Sequence, residues 1–277
     1  MVIDAHVHFW KFDKDRYNWI TNAMDVLRKD YLPDQLLPIQ KRNGIDGVIA
    51  VQAEQAEVDT RFLVELSETY PMIKGVIGWV DLGSRDIARK LDEFAQYPII
   101  KGWRHSVREE AGNFWENADF RRGIQQLQDR NYTFDLPISH HQWPAAAEFI
   151  AQLPHQKFVV DHCGSPDIRH GRIDEWKTWI REYAKYQNVY CKLSGLFTEA
   201  AWKEWHAGDF YPYLDVVFEA FGVGRLMYGS DWPVILLSGM YVQWKSLLEK
   251  YMEDYSVEEK EQIFGLNAAA FYGIAMD

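Results

Sequence analysis

Eight short β-rich runs, separated by segments of helical spacing, restrict the fold of this chain more than any other feature. The runs are Val2–His6, Gly47–Gln52, Gly75–Val80, Ile99–Arg104, Thr133–Ile138, Phe158–His162, Val189–Leu193 and Leu226–Gly229. Several are apolar almost throughout, as strands covered on both faces are. Between them, Asp59–Tyr70, Ser84–Gln96, Asp119–Asp129, Pro144–Leu153 and Asp174–Tyr186 place apolar residues at helical intervals. Alternating β and α elements predict a parallel sheet with right-handed crossovers. Eight such units in 277 residues predict an α/β chain, a single (β/α)8 TIM barrel over residues 1–277. No Gly-x-Gly-x-x-Gly turn follows the first run, which disfavours a doubly wound dinucleotide fold. A C-terminal helical extension follows the eighth run, with Ser256 as its N-cap and Glu258 and Glu259 in its first turn.

Composition narrows the class of function. Hydrophobic residues make up 47% and charged residues 26%, a balance that excludes disorder and fibrous folds. Thirty basic against 41 acidic residues leave a net charge of −11, which repels nucleic acid and anionic membranes and points to a small-molecule substrate. The two cysteines, Cys163 and Cys191, do not make a disulfide framework. No apolar run reaches the ~18 residues of a membrane helix, and the N-terminus has no leader pattern, so a cytoplasmic protein is expected. A homodimer stays open at this level. The long segment Asp13–Leu37 after the first run carries Tyr17, Trp19 and Tyr31. Such a loop lies over the C-terminal mouth of a barrel, as a lid or pocket wall or with its aromatics packed on the barrel top.

Functional side chains of a barrel sit at the C-terminal ends of its strands. Here those ends read His6-Val7-His8, Gln52-Ala53-Glu54, Asp81, Lys101-Gly102-Trp103-Arg104-His105, Asp135, Asp161-His162-Cys163-Gly164, Lys192-Leu193-Ser194-Gly195 and Gly229-Ser230-Asp231-Trp232. Buried charge is costly unless paired, so this convergence of ionisable groups points to a site. His6 and His8, two apart on an extended chain, present both imidazoles to one face and are candidate ligands of a divalent ion. Barrel closure brings Asp231 beside them, as a general base, a third metal ligand or a helix cap. His162 ends the sixth run as a ligand, a carbonyl polariser or a core histidine, with Asp161 expected to point the other way. Cys163 has no base partner and ranks low as a nucleophile. Arg104, Lys101 and His105 suit an anionic or polyhydroxylated substrate, with Glu54 and Trp232 completing the binding set. His140 and His141 follow the fifth run without a spacing signal, and His155, His170 and His206 read as surface residues.

The opening Ile-Asp-Ala-His-Val-His-Phe-Trp resembles the amidohydrolase superfamily, and more closely its amidohydrolase-2 branch. The likeness continues through Gln52-Ala53-Glu54, Lys101-Gly102-Trp103-Arg104-His105, Val160-Asp161-His162-Cys163-Gly164, Lys192-Leu193-Ser194-Gly195 and Tyr228-Gly229-Ser230-Asp231-Trp232-Pro233. It closes with Ile263-Phe264-Gly265-Leu266-Asn267-Ala268 and so covers essentially the whole chain in order. The nearest subgroup in appearance is the sugar-acid and dicarboxylate lactonases, such as L-fuconolactonases, L-rhamnonolactonases and pyrone-dicarboxylate lactonases. That resemblance implies a (β/α)8 hydrolase that opens a cyclic ester with water, with Asp231 as base and His6, His8 and His162 stabilising the oxyanion. Binuclear members of the superfamily carry a bridging Lys or Glu on strand four and a His on strand five. Here Asp135 stands in strand five and Lys101 falls early in strand four, so at most one divalent ion, zinc or manganese, is expected. Pyrone-dicarboxylate lactonase-like members work with none. The alternatives are a metal-dependent, non-oxidative decarboxylase of an aromatic acid, also found in this branch, and a non-catalytic barrel that binds a sugar acid.

Overall fold

The computed structural model describes residues 1–107, 110 and 114–275. All eight expected runs are strands: β1 Ile3–Val7, β2 Gly47–Val51, β3 Ile73–Gly78, β4 Ile100–Arg104, β5 Thr133–Leu136, β6 Phe158–Val160, β7 Val189–Leu193 and β8 Leu226–Tyr228. They form one sheet in sequence order, every neighbouring pair parallel. The last strand meets the first just beyond its end. The His8 amide donates to the Trp232 carbonyl at 2.7 Å and the Asp231 amide to the His6 carbonyl at 2.9 Å. These two bonds close the barrel and bring the Asp231 and His6 main chains together.

Helices cover the outside. Glu57–Thr69, Ile87–Phe94, Ala118–Asp129, Trp143–Ala151 and Ile173–Ala184 stand where helical spacing predicts them, with ends shifted by a few residues. The third begins one residue early because Asn117 caps it, its side chain accepting from the Asp119 and Phe120 amides. In the extension, Ser256 accepts from the Glu259 amide at 3.2 Å and Glu259 answers from the Ser256 amide at 2.8 Å, a reciprocal cap. Among the described residues no helix is long and apolar enough to cross a membrane.

Ile3, Ala5, Ile49, Val51, Ile77, Val159 and Met227 form a buried cluster with Ala268, Ala269, Phe271 and Tyr272 of the last helix. Val7, Val48, Ala50, Val76 and Val160 belong to the larger cluster shared with the surrounding helices. Ile3 and Ala5 therefore share one face, yet Val7 does not. The pairing of β1 with β2 shifts by one residue between Asp4 and Val7, and this bulge switches the alternation. Asp4, ahead of the bulge, accepts from the Tyr241 hydroxyl of the helix Tyr241–Tyr251 and from the Ser230 amide. His6 and His8, past it, meet the polar ends of β6, β7 and β8.

The loop after β1 is a fastened wall. Tyr17 and Tyr31 are buried, Trp19 donates to the Ala53 carbonyl, Tyr17 to Asp59, and Arg16 holds Glu54 through two nitrogens. The aromatics of this loop are packed, as one of the two expectations had it.

Candidate active site

His6 Nε2 and His8 Nε2 lie 3.1 Å apart, and Asp231 Oδ1 stands 3.4 Å from His8 Nε2 and 3.9 Å from His6 Nε2. The circle through these three atoms has a radius of about 2.0 Å, the bond length of a zinc–imidazole or zinc–carboxylate contact. The triangle therefore has the size of a three-ligand metal site, and the donor set suits a divalent ion. All three residues are buried, Asp231 at 3% exposure and His8 at 5%. His8 Nδ1 is anchored on the Val51 carbonyl at 2.9 Å, which leaves Nε2 for the cluster. His6 is pushed well below the usual imidazole range, first by burial and then by Lys192, which favours its neutral form, the form in which an imidazole can bind a metal.

Asp231 reaches this position through a left-handed backbone, φ 58°. Its side chain turns to the histidines, and at the short helical turn Val234–Leu237 its main-chain carbonyl accepts from the Ile235 amide at 2.9 Å. The helix-cap alternative therefore fails. Burial alone would raise the Asp231 carboxyl, but His162, His8 and His6 outweigh it and hold it down at about 2.

The end of β6 uses the same device. His162, Cys163 and Ser165 have φ values of 53°, 51° and 49°, so strand alternation stops at Val160. As a result Asp161 and His162 both face the cluster, and the expectation that Asp161 points away is corrected. His162 lies edge-on to His6 at 4.5 Å between ring centroids, its Nδ1 2.9 Å from Ser194 Oγ. A Cβ on Gly195 would stand 2.6 Å from His162 Cγ, and one on Gly229 2.9 Å from His6 Cβ. The glycines of Lys-Leu-Ser-Gly and Tyr-Gly-Ser-Asp are thus the room in which two imidazoles sit.

Beneath the histidines is a buried ionic network that the strand-end reading did not assign. Lys192 of β7 pairs with Asp135 of β5 and, at 3.1 Å, with Asp161 Oδ1; it also stands 3.1 Å from His6 Nδ1. Arg104 Nε donates to Asp161 Oδ2 at 2.8 Å, and Tyr272 reaches both Asp135 oxygens at 3.2 Å. Burial pushes the Asp135 carboxyl up to about 6. Burial would also raise Asp161, but Lys192, His6 and Arg104 reverse the sign and hold it well below the usual carboxylate range.

The expected binding residues divide. Arg104 sits against the cluster through Asp161, its side chain 13% exposed, and among the described residues its two terminal nitrogens have no hydrogen-bond partner. His105 lies farther along the rim, 3.3 Å from Trp79 Nε1, stacked on Phe114 and within 3.2 Å of Glu110; burial pushes its imidazole down. Glu54 is taken by Arg16. Trp232 is buried against Phe9 and Tyr31, so its ring is part of the core. Lys101 is the second residue of β4, near its N-terminal end, and its Cγ lies 2.9 Å from where a Cβ on Gly75 would stand. Cys163 is buried, its thiol on the Lys192 carbonyl.

Residues 3–274 match the amidohydrolase family. The chain belongs to that family. Two curated relatives are similar to this amidohydrolase over their full length. The L-fucono-1,5-lactonase of Burkholderia multivorans is 37% identical over 98% of this chain and 96% of the relative. That of Burkholderia ambifaria is 32% identical over 98% of this chain and 95% of the relative. Among solved structures, a Burkholderia multivorans amidohydrolase with bound zinc superposes with a TM-score of 0.96 at 37% identity, covering 99% of this chain and 100% of that one.

Proposed function

We propose that this amidohydrolase hydrolyses a sugar-acid lactone, adding water to the ring ester to release an open-chain hydroxy acid. The observation that carries the substrate class is the full-length likeness to two L-fucono-1,5-lactonases, at 37% and 32% identity. The groups present suit the reaction: a carboxylate to take a proton, imidazoles for a developing oxyanion, and Arg104 nitrogens that have no partner among the described residues and could meet the sugar.

His6, His8 and Asp231 are proposed to hold one divalent ion, zinc or manganese, as their spacing allows. When bound, such an ion supplies Lewis-acid polarisation. Asp231, ionised at neutral pH, accepts a proton as water oxygen bonds to the lactone carbonyl carbon. The carbonyl oxygen takes up the electron pair, and His162, oriented by Ser194, stabilises that charge. Collapse of the tetrahedral centre breaks the bond to the ring oxygen, which leaves as a hydroxyl with the proton returned from Asp231. Arg104, its Nε committed to Asp161, turns its remaining nitrogens to vicinal hydroxyls or to the carboxylate that forms.

A panel of aldono-1,4- and 1,5-lactones at neutral pH, followed by acid release and corrected for spontaneous opening, tests the proposal. Turnover of at least one member supports it. No release above background by folded, zinc-supplied protein, or CO2 release from an aromatic acid in its place, overturns it.

A further inference from the structure

Two groups of residues could each hold a metal ion, and they share His6: His6–His8–Asp231 and His6–Asp161–His162. In the second, Asp161 Oδ1 lies 3.3 Å from His6 Nδ1, and the Lys192 ammonium stands 3.1 Å from each of these atoms. An ion bonded to both atoms at about 2.1 Å could be no farther than about 4 Å from Nζ. Two like charges that close in a fully buried site repel strongly, because little solvent screens them. Lys192, Asp135 and Asp161 are all 0% exposed.

We propose that Lys192 is a built-in cation that occupies the second metal position of this barrel and so restricts it to one divalent ion. The surroundings of Nζ are those of a cation site: Asp135 on one side and Asp161 on another, with His6 Nδ1 3.1 Å away. The Tyr272 ring, entering with the last helix, faces the ammonium at 5.7 Å, and its hydroxyl bonds Asp135. Two carboxylates, Asp135 and Asp161, meet two cations, Lys192 and Arg104, so the network is neutral as built. Removing the ammonium leaves one buried negative charge unmatched and two carboxylates facing a vacated position, which is a demand for a cation. By this account the second positive charge under His6 is supplied by the chain, and Asp161 is held in place to orient Arg104.

The test counts zinc and does not depend on the substrate. Parent protein, Lys192→Ala, Asp161→Asn and Lys192→Ala/Asp161→Asn are equilibrated with excess zinc, freed of loosely held metal by gel filtration and assayed for metal per chain, with folding checked by circular dichroism. Lys192→Gln replaces the alanine form should that form not fold. The lysine variant is expected to carry one zinc equivalent more than the parent, and the double variant to lose that extra equivalent. A folded lysine variant with the parent's zinc content overturns the proposal. So does extra zinc that survives Asp161→Asn, or a parent that itself binds a second equivalent abolished by Asp161→Asn. A lactonase that fails this test is still a lactonase, and an inactive protein that passes it still carries its second cation as a side chain.

Discussion

Gly195→Ala isolates how far the reaction depends on the placement of His162. Gly195 has φ 68°, so any side chain there carries the left-handed penalty of about 1–2 kcal/mol. For a chain of this size that lowers the unfolding midpoint by roughly 2–4 °C per kcal/mol. The second effect is contact. The new Cβ would lie 2.6 Å from His162 Cγ and Nδ1, far inside the ~3.5–4.0 Å of an ordinary approach. The imidazole must therefore retreat by on the order of 1 Å, which breaks its 2.9 Å link to Ser194, and a displacement of that size costs roughly 10²-fold in rate. Gly171→Ala is the matched control, because Gly171 has φ 65° but nothing within 4 Å of its Cβ position. Both variants should melt lower than the parent, and only Gly195→Ala should lose lactone turnover. Equal turnover in the two, with both folded, refutes the argument that His162 works from that position.

Asp231→Asn keeps the shape but not the charge, and should lower kcat by about 10²–10⁴-fold in a protein that still folds; near-normal turnover would reject Asp231 as the base. Arg104→Lys keeps a cation near Asp161 but loses the flat edge of donors, and should reduce kcat/KM by about 1–3 kcal/mol, whereas unchanged kcat/KM would make Arg104 purely structural. His8→Ala removes a corner of the ligand triangle, so zinc or manganese per chain should fall from one equivalent to none, and retention of the full equivalent would place the ion elsewhere.

The eight strands and their order were legible because each is a short apolar run bounded by turns, and covered parallel strands leave that pattern in any context. His6, His8 and Asp231 were legible for a further reason. A parallel barrel must close β8 onto β1, so residues more than two hundred positions apart in sequence become neighbours by topology alone. Alternation then gave the right face for His6 and His8 while hiding how it is reached. Ile3 and Ala5 turn to the barrel interior and Asp4 away from it, so unbroken alternation would send His6 and His8 outward with Asp4. The one-residue bulge before Val7 reverses this, and nothing in Ile-Asp-Ala-His-Val marks it. The same limit explains Asp161: a period of two separates it from His162, whereas the left-handed residues 162 and 163 fold both side chains inward.

The expected binding set divides for a different reason. Glu54, Trp232 and Lys101 lie in the motifs that resemblance picks out, but a strand-end position does not say whether a side chain is already spent. Arg16 takes Glu54 from a loop 38 residues away, and Phe9 and Tyr31 enclose Trp232. The ionic network, by contrast, did leave a signal. Lys192 interrupts Val-Tyr-Cys-Lys-Leu, and Asp135 interrupts Thr-Phe-Asp-Leu, both runs buried almost throughout. A charge inside a covered strand is tolerable only beside its opposite, so a buried lysine on the seventh strand and a buried aspartate on the fifth call for each other or for an ion. Their pairing past the intervening β6 accounts for the strand-five position where related binuclear sites have histidine. The carboxylate there faces an ammonium, while the His6–His8–Asp231 triangle lies at the closing seam of β1 and β8.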